Sequence, residues 1–196
     1  MAGLSFFGFS LGLVVRADLG LAPWDVFHQG VSQQLGWSLG TVIVATSFVV
    51  VVLWIPIRER PGIGTLANAV LVGIWVDISL WILPEVLSSL VLRFVVLAVG
   101  IVVNGVATGL YIGARFGSGP RDGLMTGLAA RGYSVRVVRT IIEAIVLISG
   151  FALGGSVGLG TVLFAVAIGP IAHQAIPFFT GFTAAVNKES VMPSSA

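Results

Sequence analysis

The residues of this chain that could do chemistry are few and widely spaced. Asp77 lies in an otherwise apolar run. An ionised carboxylate at the centre of a membrane helix costs about 2.5–3.5 kcal/mol, so such a residue calls for a reason. His173 falls at the matching place, 96 residues further on. An acid and an imidazole so related could relay a proton or a cation. The plainer reading is that both sit near the ends of their spans and pair with interfacial groups. Glu143 has Arg139 four residues before it. The two could form a surface ion pair, with Arg136 and Arg139 snorkelling outward, or Glu143 could coordinate a substrate or ion. Asn104, like Asn68, is a neutral polar residue in an apolar run, a type that often hydrogen-bonds between helices.

A second group lies beside prolines. Asp25 follows Pro23 and Asp122 follows Pro120, each at the expected start of a short helix. A carboxylate there accepts backbone N–H groups and suits the helix dipole. The competing reading is that residues 117–122 open a helix whose bare N–H groups, with Arg121, bind an anionic group. This is not a nucleotide-binding glycine loop, since no Gly-Lys-Ser/Thr follows. His28 and Gln29 fall on the first short helix, where an interfacial role is the simpler one. No Ser/His/Asp constellation is evident and two separate histidines make no recognised metal motif. We therefore expect no enzyme, no metal site and no cofactor.

The elements that hold these residues must be membrane helices. Of 196 residues, 57% are hydrophobic and 9% charged, with mean hydropathy +1.07. An ordinary soluble domain carries about 25% charged residues. No Asp, Glu, Lys or Arg occurs in residues 26–57, 94–114 or 144–187. Each of those stretches is long enough for a hydrocarbon core, which takes roughly 20 apolar residues. The absence of cysteine removes disulfides and thiol chemistry. A formal charge of +2 gives no footprint for nucleic acid. We expect six spans, at about 3–19, 38–57, 65–83, 90–113, 135–154 and 161–179, separated by glycines and prolines. Short half-helices are expected at 23–35 and 124–131, each after the first span of its repeat. Residues 187–196 read as a disordered tail.

The chain repeats itself. Leu19-Gly20-Leu21-Ala22-Pro23-Trp24-Asp25 matches Phe116-Gly117-Ser118-Gly119-Pro120-Arg121-Asp122, with Gly8 and Gly12 matching Gly105 and Gly109, at an offset of 97. One residue then drops out. Ser38 matches Ser134, Gly62-Ile63-Gly64-Thr65 matches Gly158-Leu159-Gly160-Thr161, and Gly73 matches Gly169. Three spans per repeat (about 3–83 and 90–180) force the second repeat to enter from the opposite face. The expected fold is therefore all-α integral membrane, with six transmembrane helices as two inverted three-helix repeats, in one membrane domain over 1–186. With the N-terminus in the cytoplasm, Arg58, Arg60, Arg115, Arg121, Arg131, Arg136, Arg139 and Lys188 lie inside, and Arg16 and Arg93 outside. The positive-inside rule then places both termini in the cytoplasm. The Gly8/Gly12 and Gly105/Gly109/Gly113 faces read as packing surfaces, with the first span meeting the fourth.

These motifs resemble the bacterial YitT/YczE family of multi-pass membrane proteins. The residues that carry the resemblance run from Leu19 to Gly30, with Gly62-Ile63-Gly64-Thr65, Gly117-Ser118-Gly119-Pro120-Arg121-Asp122-Gly123-Leu124-Met125, Val138-Arg139-Thr140-Ile141-Ile142-Glu143 and residues 154–161. The resemblance covers nearly the whole chain. It implies the bacterial cytoplasmic membrane and says little of activity. No soluble C-terminal domain follows the spans, which points to the YczE branch. Few basic residues stand at the N-terminus, which implies that a few are missing there.

The function these observations favour is a secondary transporter or permease for a small solute, with a midplane site lined by Asp77, Asn104, Glu143 and His173. Inverted repeats serve alternating access in many secondary transporters. The alternative is a non-transporting membrane scaffold that binds another protein or enzyme. The expected partners are the lipid bilayer and either a small solute or a protein.

Overall fold

The computed structural model describes residues 1–85, 87–113 and 118–191, with side chains as far as Gly181. The motif residues Arg115, Phe116 and Gly117, and residues 192–196 of the expected tail, lie outside the described residues. Among the described residues there are eight helices and no strand: α1 (Ala2–Ala17), α2 (Pro23–Leu35), α3 (Leu39–Val52), α4 (Ile63–Ile82), α5 (Leu90–Gly113), α6 (Pro120–Ala129), α7 (Val135–Ala152) and α8 (Leu159–Val191). The last helix runs on into the segment read from sequence as a tail.

Local chemistry explains the boundaries. Pro23 and Pro120 stand in the first turns of α2 and α6, where a missing N–H costs nothing. The second short helix accordingly starts at Pro120, ahead of the expected residue 124. Gly36, at φ 67°, closes α2 in the left-handed conformation that glycine adopts freely. Ser38 then caps α3, accepting from the Thr41 N–H at 3.2 Å, and the chain bends by 114° between α2 and α3. α3 stops at Val52, short of the expected residue 57, and turns carry the chain onward through Arg58, which sits at φ 52°. The two Gly-x-Gly-Thr motifs build the same cap. The Gly62 N–H donates to Thr65 Oγ1 at 3.3 Å, and the Gly158 N–H to Thr161 Oγ1 at 3.2 Å.

By length and composition, α4, α5 and the stretch 159–181 of α8 can each cross a membrane, and the bent pair α2–α3 makes up to four. α1 is apolar but shorter, and α7 carries Arg136, Arg139 and Glu143. The outer surfaces are apolar: Ile63, Trp81, Val91, Ile148, Phe151, Val162 and Val166 are all exposed. So much outward-facing hydrocarbon suits lipid rather than water.

α1 and α5 form the central pair and run antiparallel. Gly3 faces Leu110 and Tyr111, Gly100 faces Val14 and Leu13, and Arg93 Nε donates to the Ala17 carbonyl at 2.8 Å. The glycine faces named in the sequence are spent elsewhere. Gly8 and Gly12 admit Val72, Trp75 and Ser79 of α4, and Gly105, Gly109 and Gly113 admit Ile171, Ala175 and Phe179 of α8. Small faces let two backbones approach, and each repeat uses them to close its own first helix on its last. The remaining packed pairs also correspond. α2 packs on α7 as α6 packs on α3, and α2 meets α3 as α6 meets α7.

One correspondence fails. α3 packs tightly on α4, whereas α7 and α8 make no comparable contact among the described residues. The reason is readable at one position. A Cβ on Gly40 would lie 2.1 Å from the Gly73 carbonyl oxygen. The counterpart of Gly40 is Arg136, and a Cβ on Gly169, the counterpart of Gly73, would meet nothing within 4 Å. We expect Gly40→Ala to cost about 1–3 kcal/mol by overpacking and Gly169→Ala to stay within about 0.5 kcal/mol of the parent. Thermal unfolding of both variants in detergent checks this; equal losses would refute the open α7–α8 interface.

Candidate functional site

The open interface leads into a cavity of about 420 Å³. Its walls come from both repeats. α5 supplies Asn104, Thr108 and Tyr111; α8 supplies Phe164, Ile168 and Ala172; α7 supplies Arg139 and Glu143. The first turns of the two half-helices, with Pro23, Trp24 and Asp25 from α2 and Arg121 and Asp122 from α6, complete it. Both N-termini therefore look into one space, where the helix dipoles favour negative charge.

The loops before these helices fold inward, and each repeat anchors the other's loop. The Gly160 N–H donates to the Leu19 carbonyl at 2.6 Å and the Leu21 N–H to that of Ser156 at 3.2 Å. In the other direction, Thr65 Oγ1 donates to the Ser118 carbonyl at 2.8 Å and Trp54 Nε1 to that of Pro120 at 3.1 Å. Leu21 and Ala22 are buried as a result.

Where the half-helices meet, their matched residues touch. The Arg121 guanidinium lies over the Trp24 ring, 5.3 Å from its centroid. Its Nη2 is 3.6 Å from Asp25 Oδ1, beyond hydrogen-bond length. Asp25 Oδ1 is also 3.4 Å from His28 Nδ1, and both residues are almost fully buried. Asp122 accepts from the Tyr111 hydroxyl at 2.8 Å, and Tyr111 packs edge-on against Phe7. Trp24 is buried, and its indole N–H has no acceptor among the described residues.

The residues singled out in the sequence divide in two. Asp25, Arg121, Asp122, Asn104 and Glu143 line the cavity, with His28 behind Asp25. Asn104 also donates from Nδ2 to Ser10 Oγ at 2.9 Å, joining α5 to α1. Arg139 Nε donates to Glu143 Oε1 at 2.8 Å. Asp77 and His173 are not among the lining residues. The Asp77 carboxylate accepts from Ser38 Oγ at 2.6 Å and the Gly40 N–H at 2.7 Å, holding the N-terminus of α3. His173 is exposed on α8. Trp24 and Tyr111 were not singled out from sequence. The repeat held a signal for Trp24, because it is the counterpart of Arg121. Arg16 and Arg93 also have structural partners: Arg16 reaches the Leu80 carbonyl and Arg93 the C-terminal end of α1.

A second, much smaller cavity of about 30 Å³ lies on the other side of Asp122. Ile43, Ser47, Asn68 and Val72 line it, and their repeat counterparts are Arg139, Glu143, Phe164 and Ile168, which line the large one. The same place in the two halves is thus narrow in one and wide in the other.

The comparisons agree with a membrane protein of this type. Residues 1–177 match the model of a family of unknown function, DUF6198, and the chain belongs to that family. It is 41% identical over 171 residues to an uncharacterized protein of Haemophilus influenzae, covering 86% of this chain and 77% of that protein. It is 35% identical over 179 residues to the uncharacterized membrane protein YczE of Bacillus subtilis, covering 90% and 83% of the two chains. A further relative, the uncharacterized protein YyaS of Bacillus subtilis, is 28% identical over 181 residues, 89% of each chain. The resemblance to the YczE branch is borne out. No solved structure matches the chain.

The geometry gives Asp77 a structural task. Asp77→Ala strips the carboxylate from the first turn of α3 and should lower stability by about 1–2 kcal/mol, while leaving the shape of the cavity intact. Thermal unfolding reads the first effect. An unchanged unfolding midpoint would remove the capping role.

Proposed function

We propose that the chain is a secondary permease of the bacterial cytoplasmic membrane, carrying a small solute through the 420 Å³ cavity by alternating access. In this reading α1, the bent pair α2–α3 and α4 form one half, and α5 to α8 form the other in the opposite orientation. The half-helices re-enter from opposite faces. Both termini are cytoplasmic, as the distribution of arginine favours. The cavity residues bind and orient; no catalytic step is assigned to them.

The observation that carries this reading is the paired but unequal cavities. Equivalent residues of the two halves enclose about 30 Å³ between α3 and α4 and about 420 Å³ at α7 and α8. Two related halves in opposite states are what one conformation of an alternating-access cycle requires. The antiparallel α1–α5 pair supports the inverted arrangement, and the charged groups around the cavity support a polar cargo.

The absence of cysteine gives a direct test. Thr108, half-buried on the cavity wall, is replaced by cysteine and challenged with a membrane-impermeant thiol reagent from each side of sealed vesicles in turn. Labelling from both sides is expected. Labelling from neither side, repeated at Ala172, would mean a closed core and would end the permease reading in favour of a scaffold.

A further inference from the structure

We infer that the cavity takes an ammonium–carboxylate zwitterion of amino-acid size, with its carboxylate on Arg121 and its ammonium on Asp122 and Glu143. The inference rests on the permease reading for its transport meaning, but the binding site stands on its own geometry.

Size comes first. A cavity of about 420 Å³ is far larger than a bare ion needs and falls within the roughly 300–1,000 Å³ of small-molecule sites. Charge comes next. The wall carries three carboxylates (Asp25, Asp122 and Glu143) and two guanidinium groups (Arg121 and Arg139). A phosphate or dicarboxylate would meet a surplus of negative charge. A simple cation would leave the guanidinium of Arg121 and the half-helix N-termini facing it. A solute with one charge of each sign satisfies both.

The placement of donors fixes the orientation. Arg121 lies over the Trp24 ring, 5.3 Å from its centroid, and as a cavity-lining guanidinium it can grip a carboxylate in bidentate fashion. Its contact with Asp25, at 3.6 Å, is an ion pair without a hydrogen bond. Asp25 keeps the guanidinium in place without using up its donors. The indole N–H of Trp24 has no acceptor among the described residues, but it is closed off even from water and takes no part in binding.

The other pole has spare acceptors. Asp122 uses one oxygen to accept from Tyr111, and Glu143 uses Oε1 to accept from Arg139. A carboxylate has room for about four hydrogen bonds, so both can still accept. Carboxylates with free lone pairs suit a protonated amine that donates hydrogen bonds. A quaternary ammonium would instead call for an aromatic cage.

The test uses the full chain in lipid nanodiscs. Each of the twenty standard amino acids is added singly, and the unfolding midpoint is followed by tryptophan fluorescence. At least one should raise the midpoint by a few degrees at saturation. The same skeleton without its amino group, or without its carboxylate, should bind at least about tenfold more weakly. Arg121→Gln should abolish the shift. Arg121→Lys, which keeps the charge but not the planar fork, should weaken binding about tenfold. The inference is overturned if no amino acid stabilises the protein, or if the carboxylate or amine alone does as well. Two-sided labelling at Thr108 with no amino-acid binding would sink the zwitterion and spare the permease. Binding with Thr108 closed to both sides would sink the permease and spare the site.

Discussion

A helix that begins inside a membrane has no water for its first-turn N–H groups, and the loop that leads to it has none for its carbonyls. In hydrocarbon each unsatisfied group costs several kcal/mol. Everything distinctive in this structure answers that constraint. Proline in the first turn removes one donor from each half-helix. The loop before α2 is bonded by residues 156 and 160, and the loop before α6 by residues 54 and 65. Because each loop is satisfied by the other repeat, neither half can complete the start of its half-helix alone. The two repeats are thus interlocked by backbone chemistry before side-chain packing is considered.

Close packing then makes the two halves alike where they must be and unlike where they can be. The α1–α4 and α5–α8 contacts use the same glycine spacing. At the half-helices the sizes are exchanged. Gly150 of α7 makes room for Val26 and Phe27 of α2, whereas Gly123 of α6 makes room for the Trp54 ring. One small residue per contact is enough, and it can come from either side. At the α3–α4 contact both backbones touch through Gly40 and Gly73, and no side chain larger than hydrogen fits. With Arg136 at the matched place, α7 can approach α8 only through a wider contact than a glycine pair allows. Arg139 and Glu143 replace Ile43 and Ser47 along the same face. A helix so charged parts from α8 more readily than α3 parts from α4, so in this conformation the cavity opens on the side of α7.

Much of this was legible beforehand. Prolines, glycines and the repeat located all eight helices, including both half-helices, because breakers act locally. The group Asp25, His28, Arg121 and Asp122 was legible too, since its members flank those breakers. Of the two readings of Asp77, midplane group or pairing near a span end, the geometry favours the second, for a definable reason. Depth along a span can be counted, but the 114° bend that carries the N-terminus of α3 to Asp77 depends on tertiary packing. The glycine faces were read as packing surfaces and assigned to the wrong partner. Both α4 and α5 lie against α1, and spacing alone does not distinguish them. The orphan N–H of Trp24 could not be read at all, because satisfaction is a property of the assembled site.

The meeting of Trp24 with Arg121 shows why divergence after duplication matters here. In the inverted arrangement proposed above, residues near the pseudo-twofold axis face their own counterparts. Two arginines there would repel across a dry gap, and two tryptophans would give an apolar contact with no charge to offer. One of each attracts, by about 0.5–2 kcal/mol for a cation over an indole face. It also breaks the symmetry at the point where a ligand would sit. Asp25 and Asp122 kept the same residue type but diverged in partner, the one held by His28 and Arg121 and the other by Tyr111. Near-symmetric backbones therefore enclose a site with a positive pole and a negative pole. A symmetric scaffold can move between two equivalent shapes, while a polar site within it can hold an asymmetric molecule in one orientation.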